Sequence, residues 1–207
     1  RPPRSTLFPY TTLFRSDSAT ATVANFKADP DMGWFRDNVK NAKGVLIVPS
    51  LVKAGFVFGG SGGTGVLLGR DEKSGRWSYP AFFTMGSATF GFAAGVEKSE
   101  VILMIMTNKG MDSMLSTSFK LGGDVSVAVG PVGAGAKAQT ADVIAFSRAK
   151  GIYGGINLEG AVISTRDALN SAYYGKPVRT VDIVVKHSVQ NKKADRLISE
   201  VKKVARK

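Results

Sequence analysis

The amino-acid sequence predicts an α+β fold in which antiparallel β-structure predominates, arranged as a curled sheet or a barrel-like sandwich. Short runs of Val, Ile, Leu and Phe, punctuated by glycine, begin at Gly44 and recur along most of the chain. The segments between these runs are short, which favours antiparallel pairing of neighbouring strands. Helical spacing of apolar residues occurs at the start, in the middle and at the end of the chain.

The first sixteen residues differ in character from the remainder. Residues 6–16 read TLFPYTTLFRS, which is the translation of a sequencing-library adapter. Residues 1–16 are therefore interpreted as a non-native segment that is expected to be disordered. Because a native start would stand where the adapter stands, localisation does not follow from this segment.

Residues 17–207 have the length and composition of one globular domain. The hydrophobic fraction of 43% and the charged fraction of 21% exclude a mainly disordered chain. The longest apolar runs, residues 45–48 and 101–106, are too short to span a bilayer as helices. We expect a core domain over residues 17–185, followed by a basic amphipathic helix over residues 186–207.

The N-terminal half of this domain predicts two short helices and then a series of strands. Apolar residues lie among charges in residues 22–42, and Asp29-Pro30-Asp31 provides an interruption and an N-cap between the helices. Six apolar runs between residues 44 and 107 follow as successive strands, and residues 71–75 (DEKSG) have the composition of a hairpin loop. Met111, Met114 and Leu115 then have helical spacing, which predicts the middle helix over residues 108–117.

The C-terminal half resumes with strands and ends in helices. Three further apolar runs lie between residues 120 and 165, and Asp167 begins a short helical segment that ends near residues 173–175 (YYG). Residues 191–207 form an amphipathic helix with a lysine-rich outer face. Its apolar stripe consists of Ala194, Leu197, Ile198, Val201, Val204 and Ala205. Either this stripe docks on the sheet and the terminal cations oppose the helix dipole, or the helix contacts an anionic surface.

The formal net charge of +12 is concentrated at the C-terminus. The segment from residue 176 to 207 contains ten basic and three acidic residues, whereas residues 17–175 contain fifteen and thirteen. This distribution suits anionic lipid head groups or another acidic surface. A nucleic-acid partner is not expected, because Phe56, Phe58, Phe90 and Phe92 have few basic neighbours and their spacing of two favours a core face.

The residues available for catalysis are few. The chain has no cysteine, and its one histidine, His187, lacks the partners that a serine triad or a multi-histidine metal centre needs. His187 is interpreted as a surface or strand-end residue. The carboxylate pairs Asp71/Glu72 and Glu97/Glu100 are interpreted as solvated surface groups.

A glycine-rich segment has the glycine spacing of a dinucleotide-binding motif but lacks the helix that the motif requires. Residues 60–65 (GSGGTG) have the G-x-G-x-x-G spacing, but residues 66–69 (VLLG) continue as a strand, whereas a dinucleotide site needs a helix there. The glycines are interpreted as part of a hairpin with close backbone packing. We therefore expect no enzyme activity, no cofactor and no metal site.

Several of these segments together carry a family resemblance. They are residues 43–49 (KGVLIVP), the runs between residues 50 and 165, and residues 173–175 (YYG). They resemble the SYLF domain, also called the Ysc84-like actin regulator or lipid-binding family, from Phe26 to Val178. The resemblance implies the stand-alone bacterial form, a non-catalytic module of the cell envelope that is exported, periplasmic or lipid-anchored. Eukaryotic members carry additional domains and bind phosphoinositides or actin.

The resemblance and the charge distribution together give the predicted partners and site residues. The resemblance implies lipid contacts at Lys43 and Lys53, and the charge distribution adds Lys202, Lys203 and Arg206. The predicted partner is an anionic phospholipid or membrane surface, and the alternative is a protein partner in the envelope. The basic helix after Val178 is interpreted as an addition to the family's domain.

Overall fold

A computed structural model of the protein describes residues 7–55, 58–90, 95–131, 140–149, 152–154 and 158–205. It begins with helix α1 (Leu7–Ala28), a 3-10 turn (Pro30–Met32), helix α2 (Gly33–Asn38) and a second 3-10 turn (Val39–Asn41). Asp29 separates the two helices, since its side chain accepts a hydrogen bond from the backbone N–H of Asp31 at 2.8 Å. The predicted interruption and cap are confirmed.

Helix α1 is longer than predicted, and it starts within the segment that was expected to be disordered. Pro9 lies in its first turn, where the missing N–H leaves no helical hydrogen bond unmade. From Ser16 onward the helix buries one face at helical spacing, through Ser16, Ala19, Val23 and Phe26. The structure thus differs from the sequence analysis over Leu7–Ser16, because packing of the following turns anchors one continuous helix.

The centre of the molecule is a curled sheet of nine strands in the described part of the chain. In chain order the strands are β1 (Gly44–Gly55), β2 (Phe58–Gly69), β3 (Ala81–Phe90), β4 (Gly95–Ile105), β5 (Ser118–Lys120), β6 (Val127–Val129), β7 (Val143–Ala149), β8 (Ile152–Gly154) and β9 (Val162–Thr165). Their order in the sheet is β5-β9-β3-β2-β1-β4-β7-β6, with β8 also paired to β7. All pairs are antiparallel except β6 with β7. The predicted α+β class with a curled sheet is confirmed.

Two apolar layers cover the two faces of this sheet, because side chains alternate along each strand. One layer, here called the α1 face, packs strand residues such as Phe82 against α1, α2 and the C-terminal helix. The other, the α3 face, packs residues such as Phe83 against helices α3 (Asn108–Leu115) and α5 (Thr180–Val184). Phe82 and Phe83 are both buried, one in each layer. Of the four phenylalanines that were expected to form a core face, Phe56 and Phe92 lie outside the described residues.

Four helices complete the fold: α3 (Asn108–Leu115), α4 (Asp167–Tyr174), α5 (Thr180–Val184) and α6 (Asp195–Ala205), the last preceded by a 3-10 turn (Lys192–Ala194). The predicted middle and C-terminal helices are confirmed. Gly175 ends α4 in a left-handed conformation with φ 68°, which glycine adopts without strain. Within the described residues, no helix has the length and apolar character needed to cross a membrane.

Helix α6 is part of the core of the domain. Leu197, Val201 and Val204 are buried in the α1 face, and α6 packs against α1 and α2. The sequence left two interpretations of the apolar stripe open. In the structure the stripe docks within the fold. The stripe is therefore not free to enter a membrane interface while the domain remains folded.

The glycine-rich segment lies inside strand β2, and no helix follows it. A Cβ atom on Gly63 would lie 2.6 Å from the carbonyl oxygen of Ser50, and one on Gly65 would lie 2.8 Å from that of Ile47. These distances show that the backbones of β1 and β2 approach too closely for larger residues. The prediction of close backbone packing is confirmed, although the glycines occupy the strand and not the turn.

Candidate anion-binding cleft

A cleft with a volume of about 530 Å³ lies where the loop between β2 and β3 meets the C-terminal segment. Its lining includes four Lys or Arg side chains, one histidine and two aromatic rings. We call it the basic cleft and define it by Arg76, Trp77, Tyr79, Lys186, His187, Lys202 and Lys203.

The β2–β3 loop is fixed by local hydrogen bonds, which position Arg76. Asp71 accepts hydrogen bonds from the backbone N–H and hydroxyl of Ser74, both at 2.6 Å. These hydrogen bonds lower the pKa of Asp71. At the base of the loop, Ser78 donates its N–H to the carbonyl of Gly69 at 2.7 Å and accepts the N–H of Gly69 through its hydroxyl at 2.9 Å. Arg76 therefore projects from a loop with a defined conformation.

A second wall of the cleft comes from the segment between α5 and α6. His187 has φ 50°, a left-handed backbone conformation that is uncommon for any residue other than glycine. The turn that contains it is held by Ser188, whose N–H and hydroxyl both donate to the carbonyl of Asp182, at 3.0 and 2.8 Å. Lys186 donates to the Asp182 carboxylate at 2.8 Å, and this hydrogen bond is the main reason that the pKa of Asp182 is lowered.

Tyr79 connects the β2–β3 loop to the start of α6. Its hydroxyl donates to the Asp195 carboxylate at 2.8 Å. The pKa of Tyr79 is raised, chiefly by burial and then by this hydrogen bond and the nearby negative charge. Asp195 is the one carboxylate among the residues that line the cleft, so the cations outnumber it.

The two cleft lysines of α6 differ in their ion pairing. Lys203 donates to the carboxylate of Glu200 at 2.6 Å, one turn earlier on the same helix. Lys202 is exposed and makes no ion pair with any residue that the structure describes. Of the two α6 lysines that line the cleft, Lys202 is therefore the one more available to an incoming anion.

The structure brings together only some of the site residues predicted from the sequence. Lys202 and Lys203 line the cleft, whereas Arg206 lies outside the described residues. Lys43 precedes β1 and forms an ion pair with Glu72. Lys53 lies in the exposed far part of β1, beside Glu97 in the register of β4. Ten extended residues separate Lys43 from Lys53, which corresponds to roughly 30 Å. Neither lysine lines the basic cleft.

Sequence reasoning missed three basic residues of the cleft. Arg76 was placed at the start of a predicted strand, just after the hairpin loop of residues 71–75, and His187 was interpreted as a surface or strand-end residue. Lys186 contributed to the C-terminal charge but had no assigned role. The excess of cations at the C-terminus could have indicated Lys186 as a site residue. No local feature of the sequence connects Arg76 to α6.

The chemistry of the cleft is that of binding an oxyanion. Ammonium and guanidinium groups donate charge-assisted hydrogen bonds to phosphate or carboxylate oxygens. Across the described residues, no group of three or more His, Cys, Asp or Glu side chains is arranged to hold a metal ion. The cleft supplies cations and aromatic walls, and its single carboxylate, Asp195, already accepts the hydrogen bond of Tyr79.

A family comparison agrees with this architecture. Residues 86–204, more than half of the chain, match the model of the family described as Ysc84, Las17-binding protein actin regulator. The chain belongs to the Ysc84 family. The matched region ends within α6, which the sequence analysis had taken as an addition beyond the family's domain, so the Ysc84 domain includes most of this helix.

Curated relatives of the Ysc84 domain come from yeast and mammals. LAS seventeen-binding protein 3 of Saccharomyces cerevisiae is 36% identical over 147 residues, which cover 67% of this chain and 32% of the relative. Protein YSC84 of the same organism is 35% identical over 145 residues, covering 66% and 31%. SH3 domain-containing YSC84-like protein 1 of Homo sapiens is 30% identical over 152 residues, covering 70% and 44%. The chain thus matches less than half the length of these relatives.

Proposed function

We propose that this Ysc84-family chain is a non-catalytic module that binds anionic phospholipid head groups at a bacterial cell envelope. The observation that carries the proposal is the basic cleft, in which Arg76 and Lys186 from two distant segments face Lys202 of α6. The envelope location rests on the resemblance to the stand-alone bacterial form of the domain.

Electrostatics supports a lipid surface as the ligand. A Lys or Arg side chain near an anionic membrane contributes about 1 kcal/mol of binding free energy. The volume of about 530 Å³ is large enough to accept a head group. Because the apolar stripe of α6 is buried, binding through this surface depends on charge more than on insertion of side chains. Such binding weakens as salt is added, since ions screen exposed charges.

Vesicle co-sedimentation of the whole chain tests the proposal. We expect salt-sensitive binding to vesicles that contain phosphatidylglycerol and none to pure phosphatidylcholine. The double variant Arg76→Glu, Lys202→Glu reverses two cleft cations and is expected to abolish this binding. Charge substitution is preferable to removal of α6, because the helix belongs to the core.

A matched control changes the net charge equally at a different place. The double variant Lys53→Glu, Lys98→Glu alters two lysines near the end of the sheet farthest from Arg76. This control is expected to bind within about twofold of the parent, because charges separated by more than a Debye length of about 10 Å are screened. Loss of binding in the control and not in the cleft variant would place the lipid contact at Lys53 and contradict the proposal.

A protein-interaction or scaffolding role in the envelope is the alternative. Its support is that one relative, LAS seventeen-binding protein 3, and the description of the family both name the binding of another protein. An acidic protein surface would satisfy the same cations as a lipid head group does. Absence of binding to either kind of vesicle, together with co-purification of one protein at fixed stoichiometry, would favour this role.

A further inference from the structure

A second, smaller concavity of about 250 Å³ lies beside the basic cleft. Lys27, Arg36 and Lys203 are among the residues that line it, and Lys203 lines both concavities. We propose that this second concavity is an anion site in its own right, and that the carboxylate of Glu200 satisfies its lysines until a phosphate group displaces it. The inference rests on the proposed lipid-binding function and names the lipid class that the two sites together would select.

The internal carboxylate is evidence that these cations bind an oxyanion. Glu200 Oε1 lies 2.6 Å from Nζ of Lys203, and Glu200 Oε2 lies 3.7 Å from Nζ of Lys27. The carboxylate therefore sits between lysines from α1 and α6. Its pKa is lowered, chiefly by the hydrogen bond from Lys203. The Glu200 side chain is 16% exposed, whereas that of Lys203 is 53% exposed and can turn toward a ligand.

Arg36 adds a positioned guanidinium to this concavity. It donates hydrogen bonds to the carbonyl oxygens of Lys27 at 3.3 Å and Pro30 at 3.2 Å, and also to that of Asp29. Lys27 lies in the last turn of α1, where carbonyls lack helical partners, and Asp29 and Pro30 follow the end of that helix. The capping bonds hold Arg36 in place, and a guanidinium has five N–H donors, so donors remain for an anion.

Two adjacent anion sites that share Lys203 fit a lipid with two phosphate groups. A phosphate on the basic cleft would be joined by a short linker to a second phosphate near Lys27 and Arg36. A lipid with one phosphate fills only the first site and leaves the Glu200 ion pairs intact. A lipid phosphodiester carries one negative charge on two non-bridging oxygens, as a carboxylate does, so it can replace Glu200 as the partner of these cations. The inferred ligand is therefore a diphosphatidylglycerol-type lipid.

The test compares vesicles that contain diphosphatidylglycerol with vesicles that contain phosphatidylglycerol at equal phosphate content, using the whole chain. Equal phosphate content gives equal surface charge, so a preference reports the pairing of phosphates. The parent is expected to bind the two-phosphate vesicles about fivefold more tightly. Lys27→Gln changes a lysine that lines only the second concavity, and is expected to remove this preference while binding to phosphatidylglycerol remains.

A gain of affinity provides the complementary measurement. Glu200→Gln keeps the shape of the side chain but removes the competing charge, so binding to the two-phosphate vesicles should rise about fivefold, equivalent to about 1 kcal/mol. Glu97→Gln is the matched control, because it makes the same change on the opposite face of the sheet, and less than a twofold rise is expected there. A gain is not produced by loss of folding, which thermal unfolding of both variants verifies.

Different outcomes overturn different conclusions. Equal binding of the parent to both kinds of anionic vesicle would overturn the second site and leave the basic cleft in place. The second site would also be overturned if Lys27→Gln weakened binding to both kinds of anionic vesicle equally. It would likewise be overturned if Glu200→Gln raised the affinity for two-phosphate vesicles no more than Glu97→Gln does. No binding to any anionic vesicle would overturn both this inference and the proposed function.

Discussion

The carboxylate of Glu100 joins helix α1 to the sheet, and its removal should destabilise the domain measurably. It accepts hydrogen bonds from the hydroxyl of Thr22 at 2.8 Å and the amide of Asn25 at 3.1 Å, both on α1. It also accepts one from Nη1 of Arg148 on β7 at 2.9 Å. We expect Glu100→Ala to lower the free energy of unfolding by about 2–4 kcal/mol, since it leaves three donors without this acceptor.

The magnitude follows from the geometry and the exposure of the groups. A hydrogen bond to a charged group contributes about 1.5–3 kcal/mol when buried, whereas an exposed ion pair contributes about 0–1 kcal/mol. The side chains of Glu100 and Arg148 are 21% and 31% exposed, so water partly replaces the lost acceptor. Three bonds of intermediate strength give the expected range. For a chain of this size, each 1 kcal/mol lowers Tm by about 2–4 °C.

Urea denaturation followed by far-UV circular dichroism measures this loss, provided that the m-value stays constant. Glu97→Ala is the control, because Glu97 lies three residues earlier on the same strand, is exposed and points to the opposite face. A double-mutant cycle of Glu100→Ala with Arg148→Ala should give a coupling energy above about 0.5 kcal/mol. A loss below about 1 kcal/mol, or one no greater than that in the control, would refute the view that this carboxylate anchors α1.

Two further predictions concern the core and the acid sensitivity of the fold. Leu197→Ala should lower the free energy of unfolding by about 2–5 kcal/mol, because Leu197 is fully buried on α6 and the substitution leaves a cavity. Urea denaturation measures this loss. Unchanged stability would mean that α6 is a detachable extension of the domain. The hydrogen bond from Thr107, with further ones from Ser126, lowers the pKa of Asp142 to about 2, so this carboxylate stabilises the fold above about pH 4 and the contribution disappears as pH falls through about 2. Asp142→Asn should therefore lower the free energy of unfolding by about 1–2 kcal/mol at neutral pH, and parent and variant should have nearly the same stability near pH 2. Urea titrations of both proteins at the two pH values measure this difference, and a difference that does not shrink near pH 2 would contradict the prediction.

The secondary structure was largely predictable, since the relevant signals are local. Glycine-punctuated apolar runs identified the strand-forming regions, although the six runs between residues 44 and 107 form four longer strands, β1 to β4. Met111, Met114 and Leu115 identified α3 from their spacing. Asp29 marked the break after α1, and Gly175 marked the end of α4. Each of these signals depends on residues within a few positions of one another.

The exceptions each required knowledge of a distant partner. Glu100 was interpreted as a solvated carboxylate, but Thr22 and Asn25 of α1 cover it in the folded chain. Helix α1 exceeds its predicted length because its turns from Ser16 onward pack against the core and the helix from Leu7 is continuous with them. The parallel pairing of β6 with β7 has no local signature in the sequence.

The sequence by itself determined the class of fold and the concentration of positive charge at the C-terminus, because periodicity, turn chemistry and composition do not depend on chain folding. The family followed from the resemblance of several segments to the SYLF domain. Only the tertiary structure decided which cations act together. Tyr79 and Asp195 are 116 positions apart in the chain, yet their hydrogen bond closes the basic cleft. Burial of the apolar stripe of α6 fixes the helix against α1, and this packing places Lys202 in the same cleft as Arg76, while Lys53 lies near the far end of the sheet.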